Sequence, residues 1–149
     1  MSSLNAPLLD RLTRYFALLI GVAFTLAGIG GFIPGITSPI ATDAPPLMVP
    51  MSYGYLLGLF PVNVLHNLFH FGVGVYGLMA YRHFESARLF ARFLAVTLGV
   101  LTLMGLVPGL NITFGLLPLY GHAIWLHGLE AVVATYLGFL ASPTRIANA

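Results

Sequence analysis

The sequence predicts an all-α fold, a four-helix transmembrane bundle built from two tandem helix-hairpin repeats with both termini cytoplasmic. Three observations predict it. Of the 149 residues, 58% are hydrophobic and only 7% charged, with a mean hydropathy of +0.93, whereas soluble domains carry about 25% charged residues. The apolar residues fall into four long runs punctuated by Pro-Gly and GL-x-P. The basic residues are all arginines, and each stands where an apolar run begins or ends.

The first span is expected over residues 14–34, long enough for a hydrocarbon core of roughly 30 Å. Its small residues Ala17, Gly21, Thr25, Gly28 and Gly31 share one face, which lets another helix approach closely. The segment before it, MSSLNAPLLDRLTRY, lacks a small-residue cleavage site and does not read as a signal peptide. Pro34-Gly35 opens a connector with five prolines from Pro34 to Pro50 and a lone Asp43. This reads as extended chain at or outside the membrane surface. The second span is expected over 61–81, with Pro61 in its first turn. After YRHFESARLFAR, the third span is expected over 88–108, ending in Pro108-Gly109. A short uncharged connector leads to a fourth span over 118–140 and a polar tail with Arg145.

Arg11, Arg14, Arg82, Arg88, Arg92 and Arg145 all fall on one side of this arrangement, which by the positive-inside rule is the cytoplasmic side. The repeat halves are 14–81 and 88–140. Aligning Pro34-Gly35 with Pro108-Gly109 places Arg14 on Arg88 and superposes the small-residue faces. Aligning GLFP (Gly58 to Pro61) with GLLP (Gly115 to Pro118) places His70 on His127.

GLFPVNVLHNLFH, GLVPG and a later GLLPL…WLH resemble the bacterial four-helix membrane family catalogued as domain of unknown function 4383, over roughly Arg14 to Leu140. The resemblance implies four transmembrane helices and no established activity. The family tends to carry Asn at the position of Tyr120 and an Asp-Asn pair at Ala123 and Ile124. This sequence departs there while keeping Pro118, Trp125, Leu126 and His127, and Glu130 is the carboxylate one turn beyond.

Composition excludes several functions. Without cysteine there are no disulfides, thiolate metal sites or cysteine nucleophiles. A net charge of +2, sited at helix ends, does not suit nucleic acid. His66 is followed by Asn67, so the HExxH protease motif is absent. No strand–loop–helix frames a phosphate loop, and the four acids do not pair for glycoside hydrolysis.

The polar residues inside the spans are the informative ones. Asn63, His66, Asn67 and His70 fall within one stripe about a third of a helix wide, continued by Gly74 and Gly77. Hydrocarbon offers such groups no partners, so the stripe must face protein. His70 and His127 each lie nine residues after a proline expected to start a helix, which puts them at matching depth near mid-bilayer. Glu130 is the one carboxylate well inside a span, where an unpaired charge costs several kcal/mol. It is expected to carry a proton or to be held by His70, Asn67 or His127.

Four uses of this seam are open. It can be structural glue, with Asn63, Asn67 and Glu130 fixing helix register through hydrogen bonds worth about 0.6 kcal/mol each. His70 and His127 can ligate haem on its two faces, or each hold a chlorophyll. His66, His70, His127 and Glu130 can form a three-nitrogen, one-oxygen metal set. The line Asn63–His66–His70–Glu130 can carry protons or a small solute. His83 and His122 read as a loop and an interfacial histidine. The reading placed first is a non-enzymatic accessory protein of a prokaryotic inner or thylakoid-type membrane. It would be embedded in the lipid bilayer and pack against itself as a homo-oligomer or against a larger membrane complex. The cofactor protein is the alternative.

Overall fold

The computed structural model describes residues 6–141; the tail with Arg145, and that arginine's part in the orientation argument, lie outside the described residues. Four helices follow the four apolar runs: α1 (Ala6–Gly30), α2 (Val64–Ala80), α3 (Phe84–Leu106) and α4 (His122–Thr135), the last continuing as a single π-helical segment, Tyr136–Leu140. Three of them (α1, α3, and α4 with its extension) are long and apolar enough to cross a membrane, while α2 has 17 residues.

The boundaries differ from the expected spans in ways the residues explain. α1 starts earlier, with Pro7 in its first turn, and ends at Gly30 rather than Pro34. α2 starts at Val64 because the Asn63 side chain accepts the His66 N–H as an N-cap. Pro61, expected in the first helical turn, lies instead in a β-strand, where its fixed φ is equally at home. α3 begins a turn before Arg88. Pro118 likewise precedes α4, which begins only after Gly121, at φ 64°.

The Pro-rich connector is not merely extended. It folds into a small antiparallel sheet in the order β1 (Thr37–Pro39), β2 (Gly54–Leu56), β3 (Phe60–Val62). Thr37 pairs with Leu56, and Tyr55 with Pro61. Leu57 (φ 55°) and Gly58 (φ 71°) turn the chain between β2 and β3 with the left-handed backbone that matches strand twist. Buried Leu56 and Val62 fix the sheet to the helices. The connector before α4 is tied to it: Met48 N–H donates to Gly115 O at 2.8 Å, and the Tyr53 and Tyr120 hydroxyls meet at 2.7 Å. Tyr53 also donates to Pro45 O, so Tyr120 supplies the proton of the pair. Burial raises the Tyr53 phenol above its usual pKa.

α1 packs on α2 and α3 on α4 as two hairpins, and α3 lies against α1 to join them. The small face of α1 is consumed in its own hairpin. A Cβ on Gly28 would stand 2.6 Å from Phe71 N, and one on Gly21 2.7 Å from Leu78 N. In α3 the equivalent face closes on α4: Thr102 packs at Gly128, and Gly105 at Ile124. Phe24, Phe90, Leu94, Leu98, Ala131 and Ala134 form the central core.

Arginines close the end of the bundle where α1 begins and the π-helical segment ends. Arg14 Nε donates to Tyr81 O at 2.8 Å, while Arg88 and Arg92 Nε donate to Gly138 O at 3.2 and 2.8 Å. The last carbonyls of a helix have no intrahelical donor and sit at its negative end, so a cation there satisfies both needs.

Candidate functional site

α2 brings His66 and His70 to the bundle interior one turn apart, and α4 brings His127 to meet them. His66 and His70 stack with ring centroids 4.4 Å apart and planes 19° from parallel. Each lies 6.1 Å from the His127 ring. One nitrogen from each of the three lies within 4.8 Å of the others. Phe24 of α1 closes the group with its ring edge-on to His70 at 4.7 Å. Leu98 and Leu101 of α3 and Leu119 stand behind it, so its surroundings are apolar.

The tautomer of His70 follows from its hydrogen bond. Its Nδ1 lies 3.1 Å from His66 O. A carbonyl can only accept, so Nδ1 carries the proton and Nε2 presents its lone pair. A backbone carbonyl in this role is the usual device for orienting a metal-binding imidazole. Among the described residues, buried His66 has no hydrogen-bond partner at Nδ1.

A cavity of about 510 Å³ opens in front of the three rings. α1 forms one wall with Phe24 and Ala27, continued by Ile33 just beyond its end, α4 the other with Ala123, Leu126 and Glu130, and Leu56, Phe60 and Val62 of the sheet roof it. Among the described residues, the polar side chains of the lining lie on the α2–α4 side: His66, His70, His127 and Glu130. Among the described residues Glu130 Oε2 is buried without a hydrogen-bond partner, so none of the anticipated contacts to His70, Asn67 or His127 holds it. The carboxyl group lies outside the histidine cluster although it shares the cavity.

The expected stripe on α2 therefore divides. His66 and His70 turn toward α4 and the cavity. Asn67, buried, packs on Gly31 just past the end of α1, with neither amide atom hydrogen-bonded among the described residues, and Gly74 and Gly77 continue the contact along α1. Asn63 does not line the cavity either. Besides capping α2, its Nδ2 donates to Val49 O at 2.9 Å and Leu116 O at 2.7 Å, clasping the two outer connectors together. His70 and His127 do share one level. Because α2 and α4 both begin after their prolines, that level lies nearer the sheet end of the bundle than its middle. Phe24 and the sheet roof were not anticipated. Phe24 lies three residues after Gly21 and four before Gly28, hence on the same face, which is a readable sign that it points at α2.

A family model described as Domain of unknown function (DUF4383) matches residues 14–140. No curated protein and no solved structure matches the chain.

Proposed function

The chain belongs to the DUF4383 family, and we propose that it is a membrane-embedded metal-binding protein in which His66, His70 and His127 hold one transition-metal ion. The observation that carries this reading is the convergence of three imidazole nitrogens from two helices to within 4.8 Å. Tetrahedral coordination at about 2.0–2.1 Å per Zn–N bond brings ligand nitrogens to roughly 3.3 Å of one another, a contraction that small side-chain rotations supply. Ligands at i and i+4 on one helix face are a familiar metal-binding pair. An all-imidazole set suits zinc, copper, iron or nickel over magnesium or calcium. Three protein ligands leave a coordination position open, and the cavity lies on that side.

The geometry favours a metal ion over a tetrapyrrole between His70 and His127. The His66 ring is stacked on His70 and stands at the same 6.1 Å from His127, in the space a macrocycle would need. The small-residue faces, which would serve an accessory protein as docking surfaces, are largely spent inside the hairpins: Gly21 and Gly28 meet α2 and Gly105 meets α4, while Gly99 has open space in front of it.

Two tandem hairpins are supported by repeat-equivalent contacts: Arg14 to Tyr81 O matches Arg88 to Gly138 O, and Gly31 on Asn67 matches Gly105 on Ile124. Cytoplasmic termini are supported by Arg11, Arg14, Arg82, Arg88 and Arg92 at one end. A prokaryotic inner or thylakoid-type membrane is the proposed location.

Metal loading tests the site. Full-length protein in detergent, stripped with chelator and titrated with Co²⁺, is expected to bind one equivalent with a visible ligand-field band. His66→Ala, His70→Ala and His127→Ala each weaken binding at least tenfold, and Glu130→Gln leaves the stoichiometry at one. No saturable Co²⁺ or Zn²⁺ binding, or binding that survives loss of all three histidines, overturns the proposal.

A further inference from the structure

We infer that the cavity between α1 and α4 is a binding site for a neutral lipid bearing a carbonyl or hydroxyl oxygen at its head, admitted sideways from the bilayer. Its volume of about 510 Å³ lies within the roughly 300–1,000 Å³ typical of small-molecule sites. The rim is formed by side chains that face outward: Leu26 is 63% exposed, Ile29 45% and Leu126 41%. In a membrane-embedded bundle these positions meet acyl chains. The sheet covers the end of the cavity that would otherwise face water. A molecule reaching the site thus comes from the lipid phase and has an apolar body.

The head is defined by the opposite wall. Its polar side chains are His66, His70, His127 and Glu130, in a lining that is otherwise apolar. Glu130 Oε2 and His66 Nδ1 are themselves shut off from the cavity, so a ligand oxygen is met by the remaining imidazole and carboxyl atoms of this wall. Among the described residues no Arg or Lys lines the cavity, so an anionic head finds no counter-charge there and meets the Glu130 carboxyl group instead. Isoprenoid quinones and long-chain alcohols share the required chemistry. This inference needs the cavity and its polar wall, not a metal, so it is tested with chelator present.

The full chain in phosphatidylcholine nanodiscs is photolysed with decanol carrying a terminal diazirine, and labelled residues are mapped by mass spectrometry. Labelling is expected on cavity walls such as Ala27 and Leu126. Decyl-ubiquinone and 1-decanol should compete at concentrations at least tenfold below decanoate or decylammonium, and whichever neutral probe competes better identifies the source. Ala27→Phe, which fills the cavity, should cut labelling at least tenfold with the melting temperature retained; Ile33→Trp serves if Ala27→Phe does not fold. Glu130→Leu should weaken competition by the neutral probes at least fivefold. Three results overturn the inference: labelling spread evenly over outward residues such as Leu19 and Val96, stronger competition by a charged probe, or a wild-type chain that proves dimeric and turns monomeric on Ala27→Phe, which would make a second copy the occupant.

Discussion

Asn63 shows what one side chain does when its backbone surroundings are already fixed. It is fully buried and makes three hydrogen bonds, one as acceptor from His66 N–H and two as donor to Val49 O and Leu116 O. Replacing it by alanine loses a cap worth about 0.5–2 kcal/mol and leaves two carbonyls unsatisfied, each costing about 1–3 kcal/mol if water cannot reach them. Asn63→Ala is therefore expected to destabilise by roughly 2.5–8 kcal/mol, toward the lower end where water reaches the carbonyls, read as a lowered melting temperature in detergent. Aspartate separates the two roles. It caps helices as well as asparagine does, yet has no N–H to give and sets a carboxylate against two carbonyl oxygens. Asn63→Asp should be at least as damaging as alanine; a near-neutral aspartate variant would mean that only the cap matters. The HN pair at His66-Asn67 was legible as polar residues that must face protein. That Asn63 is a clasp was not, because Val49 and Leu116 lie in connectors whose meeting no periodicity encodes.

At the scale of elements, the contact between α1 and α2 is decided by backbone approach rather than by side-chain volume. Lipid tails are as apolar as leucine, so helices associate through close van der Waals packing. At Gly28 that packing leaves no room: the atoms a Cβ would meet at 2.6 and 2.7 Å are Phe71 N and Asn67 O, both main chain. Gly28→Ala is expected to cost about 1–3 kcal/mol through forced separation, even though alanine is the better helix former by about 0.8–1 kcal/mol. Gly72, on the same helix pair, has nothing within 4 Å of its would-be Cβ. Gly72→Ala should be neutral or slightly stabilising. Equal melting temperatures for the two variants would show that the hairpin does not depend on this approach. The four helices themselves were readable, since hydropathy and Pro-Gly punctuation act over twenty residues. The sheet was not. Its strands are three residues each, too short for alternation to show, and they are joined through prolines that read as irregular chain.

For the whole molecule, what must be explained is how two hairpins that each satisfy their own contacts come to enclose a shared site. The sequence placed His70 and His127 at one level by counting from Pro61 and Pro118. The helices begin later than either proline, but by similar amounts, so the common level survives and only its depth changes. The partner surface between hairpins was less legible, because α3 uses one face for α4 and another for α1 and α2, and an all-apolar helix shows no periodicity to separate them. Phe90 is the residue at that junction. It is fully buried, its ring tip lies where a Cβ on Gly77 would reach, and Tyr76 of α2 stands edge-on to it at 5.1 Å. Truncating a buried phenylalanine in a water-soluble core costs about 3–5 kcal/mol, part of it transfer to water. In a bilayer that transfer component is missing, because separated helices remain in hydrocarbon. Phe90→Ala is therefore expected to cost less, on the order of 2 kcal/mol from the cavity alone. It should act between hairpins rather than within them. Cysteine pairs placed across α1–α2 and across α3–α4 should still cross-link in the variant, while a pair across α2–α3 should lose efficiency. Uniform loss at all three pairs would show that the bundle opens as one unit, with the histidine site and both hairpins coming apart together.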